Sequence, residues 1–153
     1  MQPKLISHAA SKQIFAPLLF VLLLAVVQPT DAEESGTIVV RILRLKSSRG
    51  FVRFGLFDSK ESFPKQNQVI RKGEHPINGK QCEFVISGLP FGDYAVAVGH
   101  DENGNSKIDR FLGFPLEPVG ISGYSKRLWA VPSYAKANFS LTEQTIVIEI
   151  PIF

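Results

Sequence analysis

Alternation of apolar and polar positions dominates this chain from residue 37 to its end. In "TIVVRILRL", Ile38, Val40 and Ile42 share one face, and Val39, Arg41 and Leu43 share the other. "GFVRFGLFD" sets Val52, Phe54 and Leu56 opposite Arg53, and "QCEFVISGL" sets Cys82, Phe84 and Ile86 opposite Gln81, Glu83 and Val85. "GDYAVAVGH" does the same with Tyr94, Val96 and Val98 against Ala95, Ala97 and Gly99. "KANFSL" alternates Ala137, Phe139 and Leu141 with Asn138 and Ser140, and "TIVIEIPIF" groups Ile146, Ile148, Ile150 and Ile152 away from Glu149. A repeat of two is the signature of a strand with one face on a core. Turn residues fall between these runs, in "KSSRG" and in "SGLPFGDY" with Gly88, Pro90, Gly92 and Asp93. The pattern predicts an all-β fold of roughly six or seven strands, an antiparallel β-sandwich of immunoglobulin or transthyretin type with one long loop. The Cys…Trp…Cys signature of antibody domains is absent, since Cys82 is the only cysteine.

Two segments interrupt the alternation. Residues 59–80 are polar and charged, with "QVIR" as a short edge strand and with His75, beside Pro76, expected to be exposed and idle. The second segment runs from Asp101 to about Tyr134. Loops of such length are uncommon in compact domains and usually carry function or are disordered. Its first part, "HDENGNSKIDRFLG", places Asp101, Asn103, Asn105 and Asp109 at alternate positions. Calcium takes six to eight oxygen ligands from carboxylates, amides, main-chain carbonyls and water. Counted as an EF-hand-like loop, Asp101, Asn103 and Asn105 hold positions one, three and five. Lys107 supplies a main-chain carbonyl at seven, Asp109 falls at nine, and Ile108 anchors the loop by its apolar side chain. Position six is Ser106 rather than Gly, and position twelve is Leu112 rather than Glu. Glu117 becomes a late ligand only if the chain reverses near Gly113 and Pro115. With few anionic ligands, the expected affinity for calcium is weak, roughly 10⁻⁴–10⁻³ M. A metal-free alternative stands beside it, because Asp and Asn side chains close Asx-turns on nearby amides and give the same composition.

The stretch from Leu89 to Ser122 resembles the central motif of the domain-of-unknown-function 2141 family of secreted bacterial proteins. The resemblance rests on Leu89, Pro90, Gly92, Tyr94, Ala95, His100, Asp101, Asn103, Asn105 and Asp109, followed by Gly113, Pro115, Glu117, Gly120 and Ser122. Ser106, Val119 and Ile121 depart from the family pattern, which has Gly, an aromatic residue and Phe at those places. The resemblance implies a secreted β-sandwich without an established activity.

The N-terminus changes the picture of where the protein works. Lys4 and Lys12 precede an apolar run from Ile14 to Val27, and Thr30 and Ala32 occupy the −3 and −1 positions of a cleavage site. That order predicts a signal peptide over residues 1–32 and a single mature domain over 33–153, exported to the periplasm or beyond. The run falls short of the roughly 20 residues of a spanning helix, so an uncleaved anchor is the weaker alternative. Loss of Lys4, Lys12 and Asp31 with the leader lowers the formal charge from +3 to +2. The bases are dispersed, which argues against a nucleic-acid surface. One cysteine forms no internal disulfide, so the core must hold the domain; in its strand, Cys82 is expected to be a small buried hydrophobe.

Function divides into three classes. The preferred one is a non-catalytic structural or binding role at the cell envelope, with a glycan or an envelope protein as partner. Phe111, Phe114, Tyr124, Trp129 and Tyr134 crowd the long loop, either to bind or, as expected, to cap the open end of the core. The alternative is a hydrolase or enzyme accessory using His100 and Asp101, with Ser122 as the third member, although no nucleophile-elbow motif surrounds that serine. His100 shares strand parity with Tyr94, Val96 and Val98 and is expected to be a hydrogen-bonded histidine at the sheet edge. An outer-membrane barrel, which the terminal Phe153 after an alternating strand would suit, is the weakest alternative because turn-rich segments occupy too much of the chain.

Overall fold

β1 (Ser35–Leu43) forms where the alternation begins, burying Ile38, Val40 and Ile42 and turning Arg41 and Leu43 outward. The computed structural model describes residues 34–126 and 130–153, all within one unit that spans Ala32–Phe153. β4 (Cys82–Pro90) lies antiparallel to β1 and buries Cys82, Phe84, Ile86 and Leu89. β10 (Thr145–Pro151) flanks β1 on its other side, completing a three-stranded sheet of order β10-β1-β4. The β1–β10 pair is parallel, with Ile38 opposite Ile146 and Ile42 opposite Ile150. An antiparallel arrangement was expected throughout, but a period of two is blind to strand direction. Direction is set by the preceding link, residues 142–144, which arrives at the N-terminal end of β1, where Thr37 N donates to Gln144 O at 2.9 Å.

The second sheet has the order β3-β2-β5-β8, from β2 (Phe51–Phe57), β3 (Arg71–Pro76), β5 (Gly92–Asp101) and β8 (Val119–Ile121). β9 (Phe139–Leu141) also pairs with β5, and every pairing in this sheet is antiparallel. Val52 and Leu56 of β2, with Tyr94, Val96 and Val98 of β5, meet the buried faces of β1 and β4 to form the main core. The fold is therefore the all-β sandwich that the alternation predicts. The edge strand is β3, not "QVIR", whose Gln68 ends a 3-10 turn (Gln66–Gln68). His75 of β3 is half-buried rather than idle. Its ring stacks on Phe84 at 4.5 Å and Phe54 at 5.8 Å, joining the two sheets, and burial lowers its pKa.

β5 also has an apolar outer face. Ala95 packs there with Phe57, Phe63, Ile121 and Ala137 in a second cluster that includes Tyr134. Ala137 belongs to a short helix, α1 (Tyr134–Ala137), so "KANFSL" is strand only from Phe139. The segment after Asp101 is likewise less irregular than expected. It contains a two-stranded hairpin of β6 (Arg110–Phe111) and β7 (Phe114–Pro115), followed by β8. No helix among the described residues is long and apolar enough to cross a membrane. The expected signal peptide and Trp129 lie outside the described residues.

Candidate functional site

Strand parity separates the two residues at the end of β5. His100 follows Val96 and Val98 into the interior, where Nε2 lies 2.7 Å from Arg49 O; Nδ1 has no hydrogen bond and sits 3.8 Å from Glu102 Oε1. β5 is flanked by β2 and β8, so this histidine stands at the end of an inner strand rather than at a sheet edge. Asp101 points to the other face and is fully buried. One of its oxygens accepts from Arg53 Nε at 2.8 Å and from Ser106 N at 2.8 Å; the other accepts from Asn105 N at 3.1 Å. Burial opposes its charge, yet the Arg53 guanidinium and the amides of Ser106, Asn105 and Gly104 hold its carboxyl below the usual aspartate value. Arg53 in turn pairs with Glu74 on β3, so the buried carboxylate is tied across three strands.

The other loop residues converge around Asp109. Asn103 Nδ2 donates to it at 2.8 Å, Asn105 Nδ2 donates to both of its oxygens at 3.1 and 3.0 Å, and Lys107 Nζ lies 3.4 Å away. The bonds from Asn105 and Asn103, with the Lys107 charge, lower the Asp109 pKa despite some burial. The two amide oxygens face the other way in Asx-turns: Asn103 Oδ1 accepts from Asn105 N and Asn105 Oδ1 from Lys107 N. Ser106 takes φ 72°, so the sixth position does make its sharp turn with a side chain in place. Glu117 does fold back. Leu112 (φ 49°) and Gly113 (φ 84°) supply the tight reversal between β6 and β7. The buried Glu117 then accepts from Glu102 N at 2.9 Å and Asp109 N at 3.0 Å, closing the loop at both ends.

The structure thus gathers Asp101, Asn103, Asn105, Lys107, Asp109 and Glu117 into one loop, linked largely through N–H donors. Among the described residues, no group of three or more His, Cys, Asp or Glu side chains is set to hold a metal ion. It does not assemble His100, Asp101 and Ser122. The first two diverge across the sheet, and the buried Ser122 Oγ donates to Ala137 O and accepts from Val96 N, tying α1 to β5.

Residues 40–149 match the family model described as an uncharacterized protein conserved in bacteria (DUF2141). The chain belongs to this family. Comparison with curated proteins and with solved structures finds no match.

This DUF2141 chain also uses residues that the sequence reading left out. Arg53 is one, although its place opposite Val52 and Phe54 already put it on the face that Asp101 shares. Gly99 is another: a Cβ there would lie 2.4 Å from Ile108 Cδ1, so the missing side chain makes the seat on which Ile108 anchors the loop. The aromatic side chains divide. Tyr134 packs in the second cluster and Tyr124 is half-buried, whereas Phe111 and Phe114 do not cap the core as expected. They stand 65% and 64% exposed on the hairpin, beside Leu112 at 82% and Leu116 at 68%. Their backbone pairs within the hairpin and leaves the side chains nothing to pack under.

Proposed function

We propose that the chain is an exported, non-catalytic binding module of the bacterial envelope, with the β6–β7 hairpin as its contact surface. The observation that carries this reading is the exposure of Phe111, Leu112, Phe114 and Leu116 within six residues of a hairpin held by buried carboxylates. A contiguous apolar patch exposed on a rigid mount marks an interaction site, because leaving it in water is otherwise costly. Residues 111–116 carry only apolar side chains, which favours an apolar partner over a glycan. Export rests on the charged and apolar order of residues 1–32.

Calcium would act on the same loop as a weak clip. Asp109 would offer its carboxylate in place of its contact with Lys107 Nζ, and Asn103 and Asn105 would offer their amide oxygens once those side chains turned. Each turn gives up an Asx-turn bond, which fits an affinity of roughly 10⁻⁴–10⁻³ M. The hydrogen-bonded loop mounts the hairpin with or without the ion.

Envelope fractionation tests the reading. The Phe111→Ser/Phe114→Ser variant should keep the circular dichroism of the parent and lose retention in the envelope fraction. Retention equal to that of the parent would remove the hairpin as the contact surface.

A further inference from the structure

Charge decides what the hairpin meets. The β1–β2 connection, residues 44–50, lies at the same end of the sandwich as the 101–117 segment: Ser47 Oγ donates to Glu102 at 3.2 Å, and Arg49 O contacts His100. These two segments hold five exposed bases, Arg44, Lys46, Arg49, Lys107 and Arg110. Their acids are turned inward: Asp101 and Glu117 are buried, and Glu102 and Asp109 are half-buried with partners of their own. Lys107 is paired with Asp109, so this end of the molecule shows water an apolar tip together with the exposed bases Arg44, Lys46, Arg49 and Arg110. The tip projects; it is not a groove that would receive a peptide. The backbones of β6 and β7 pair at Arg110–Pro115 and Phe111–Phe114, and Arg110 Nη1 donates to Gly113 O at 3.3 Å, covering a carbonyl at the reversal. Paired polar groups are what entry into an apolar medium requires.

We infer that the hairpin is an interfacial wedge for an anionic lipid surface, with Phe111, Leu112, Phe114 and Leu116 entering the boundary between headgroups and acyl chains while the surrounding bases meet lipid phosphates. The inference rests on the proposed binding role and names its partner. Apolar side chains on a polar body enter that boundary by about 5–10 Å, and anionic headgroups add attraction. Each base near such a surface strengthens binding by about fivefold, an effect that salt screens.

Vesicle co-sedimentation tests it, using residues 33–153, the expected mature domain, which holds every described residue of both apolar clusters; an attached leader would itself adsorb to lipid. The expected result is retention on phosphatidylethanolamine–phosphatidylglycerol vesicles, weak retention on phosphatidylcholine, and a loss on adding salt. Phe111→Ser/Phe114→Ser should lower retention at least tenfold, by the usual value of burying such side chains. Lys46→Gln and Arg49→Gln should each lower it by about fivefold. Leu112→Asn, which suits the positive φ, is an independent tip variant should the serine pair fold poorly. No retention on anionic vesicles, or retention that ignores the tip variants, overturns the inference. If vesicles fail while the serine pair still abolishes envelope retention, a protein partner takes the lipid's place and the binding role stands. If both assays ignore the tip, both readings fall. A tip-dependent dimer without vesicle retention overturns the lipid inference in favour of self-association.

Discussion

Asp101 shows how one side chain organises the site. Buried at the end of β5, it is stable as an anion only because Arg53 and three amides surround it. The Asp101→Asn variant keeps the shape but gives up the charge and one acceptor, leaving Arg53 with a poorer partner. It should lose about 2 kcal/mol in denaturant unfolding, and by the same amount with calcium or with chelator, because the bonds lost are to N–H donors. A loss seen only with calcium would make the ion, not the guanidinium, the main partner of the carboxylate. Asp101 and Asp109 both have lowered pKa values, so the unfolded chain takes up protons first on acidification. Their stabilisation is complete above about pH 3.9 and is lost as pH falls through the folded values. His75 works in the same direction at higher pH. Burial against the rings lowers its pKa, so it stabilises the fold above about pH 6.5, and that share disappears as pH falls through its folded value. The His75→Phe variant should keep the stacking, usually about 0.5–1.5 kcal/mol for such pairs, and show a flatter loss of stability between about pH 7 and pH 5.

At the scale of elements, the 101–117 segment is a loop fastened at three places: Asp101 below, Ile108 on Gly99, and Glu117 across its ends. The Gly99→Ala substitution puts a methyl where Ile108 rests. The ring of bonds must then shift, at an expected cost of about 1–3 kcal/mol; unfolding midpoints check this, and an unchanged midpoint would show that Ile108 is free to move. The strands β1, β2, β4 and β10 were legible because burial of one face writes the alternation, and β5, buried on both faces, was legible because its outer face is lined by the small Ala95, Ala97 and Gly99. β3 and β8 were not: β3 is a largely exposed edge with charged residues on both sides, and β8 is three residues containing Gly120. The parallel partner of β1 was hidden because side-chain pattern carries no direction. Asp101, Asn103, Asn105 and Asp109 were readable as a group from Asx spacing, whereas the fold-back of Glu117 stood only as a condition on a reversal near Gly113 and Pro115. What these residues bond to was not readable, since donors such as Arg53 reach Asp101 only through sheet register. The outward turn of Phe111 and Phe114 was equally out of reach. Aromatic residues next to a strand usually mean core, and only the short β6–β7 pairing sends them to solvent.

The whole molecule couples these parts, and Cys82 offers the means to measure how tightly. The thiol lies in the main core on β4, in the sheet that carries neither the loop nor the hairpin, and burial pushes its pKa up to about 11. Folded, it is both shielded and protonated near pH 8, so a thiol reagent should modify it only when the sandwich opens. If the two sheets open as one unit, the labelling rate follows the population of the open form. A defect at Asp101, on the far sheet, then has a defined consequence. A loss of about 2 kcal/mol corresponds to roughly a thirtyfold rise in that population, and Asp101→Asn should label about thirtyfold faster than the parent. The serine pair at Phe111 and Phe114, whose side chains pack against nothing in the core, should label at the parent rate. Unchanged labelling in Asp101→Asn, together with its lower unfolding midpoint, would mean that the loop and its strand ends open locally while the main core stays shut. The hairpin would then be hinged on the sandwich rather than mounted rigidly, which the bond from Arg53 to a fully buried carboxylate argues against.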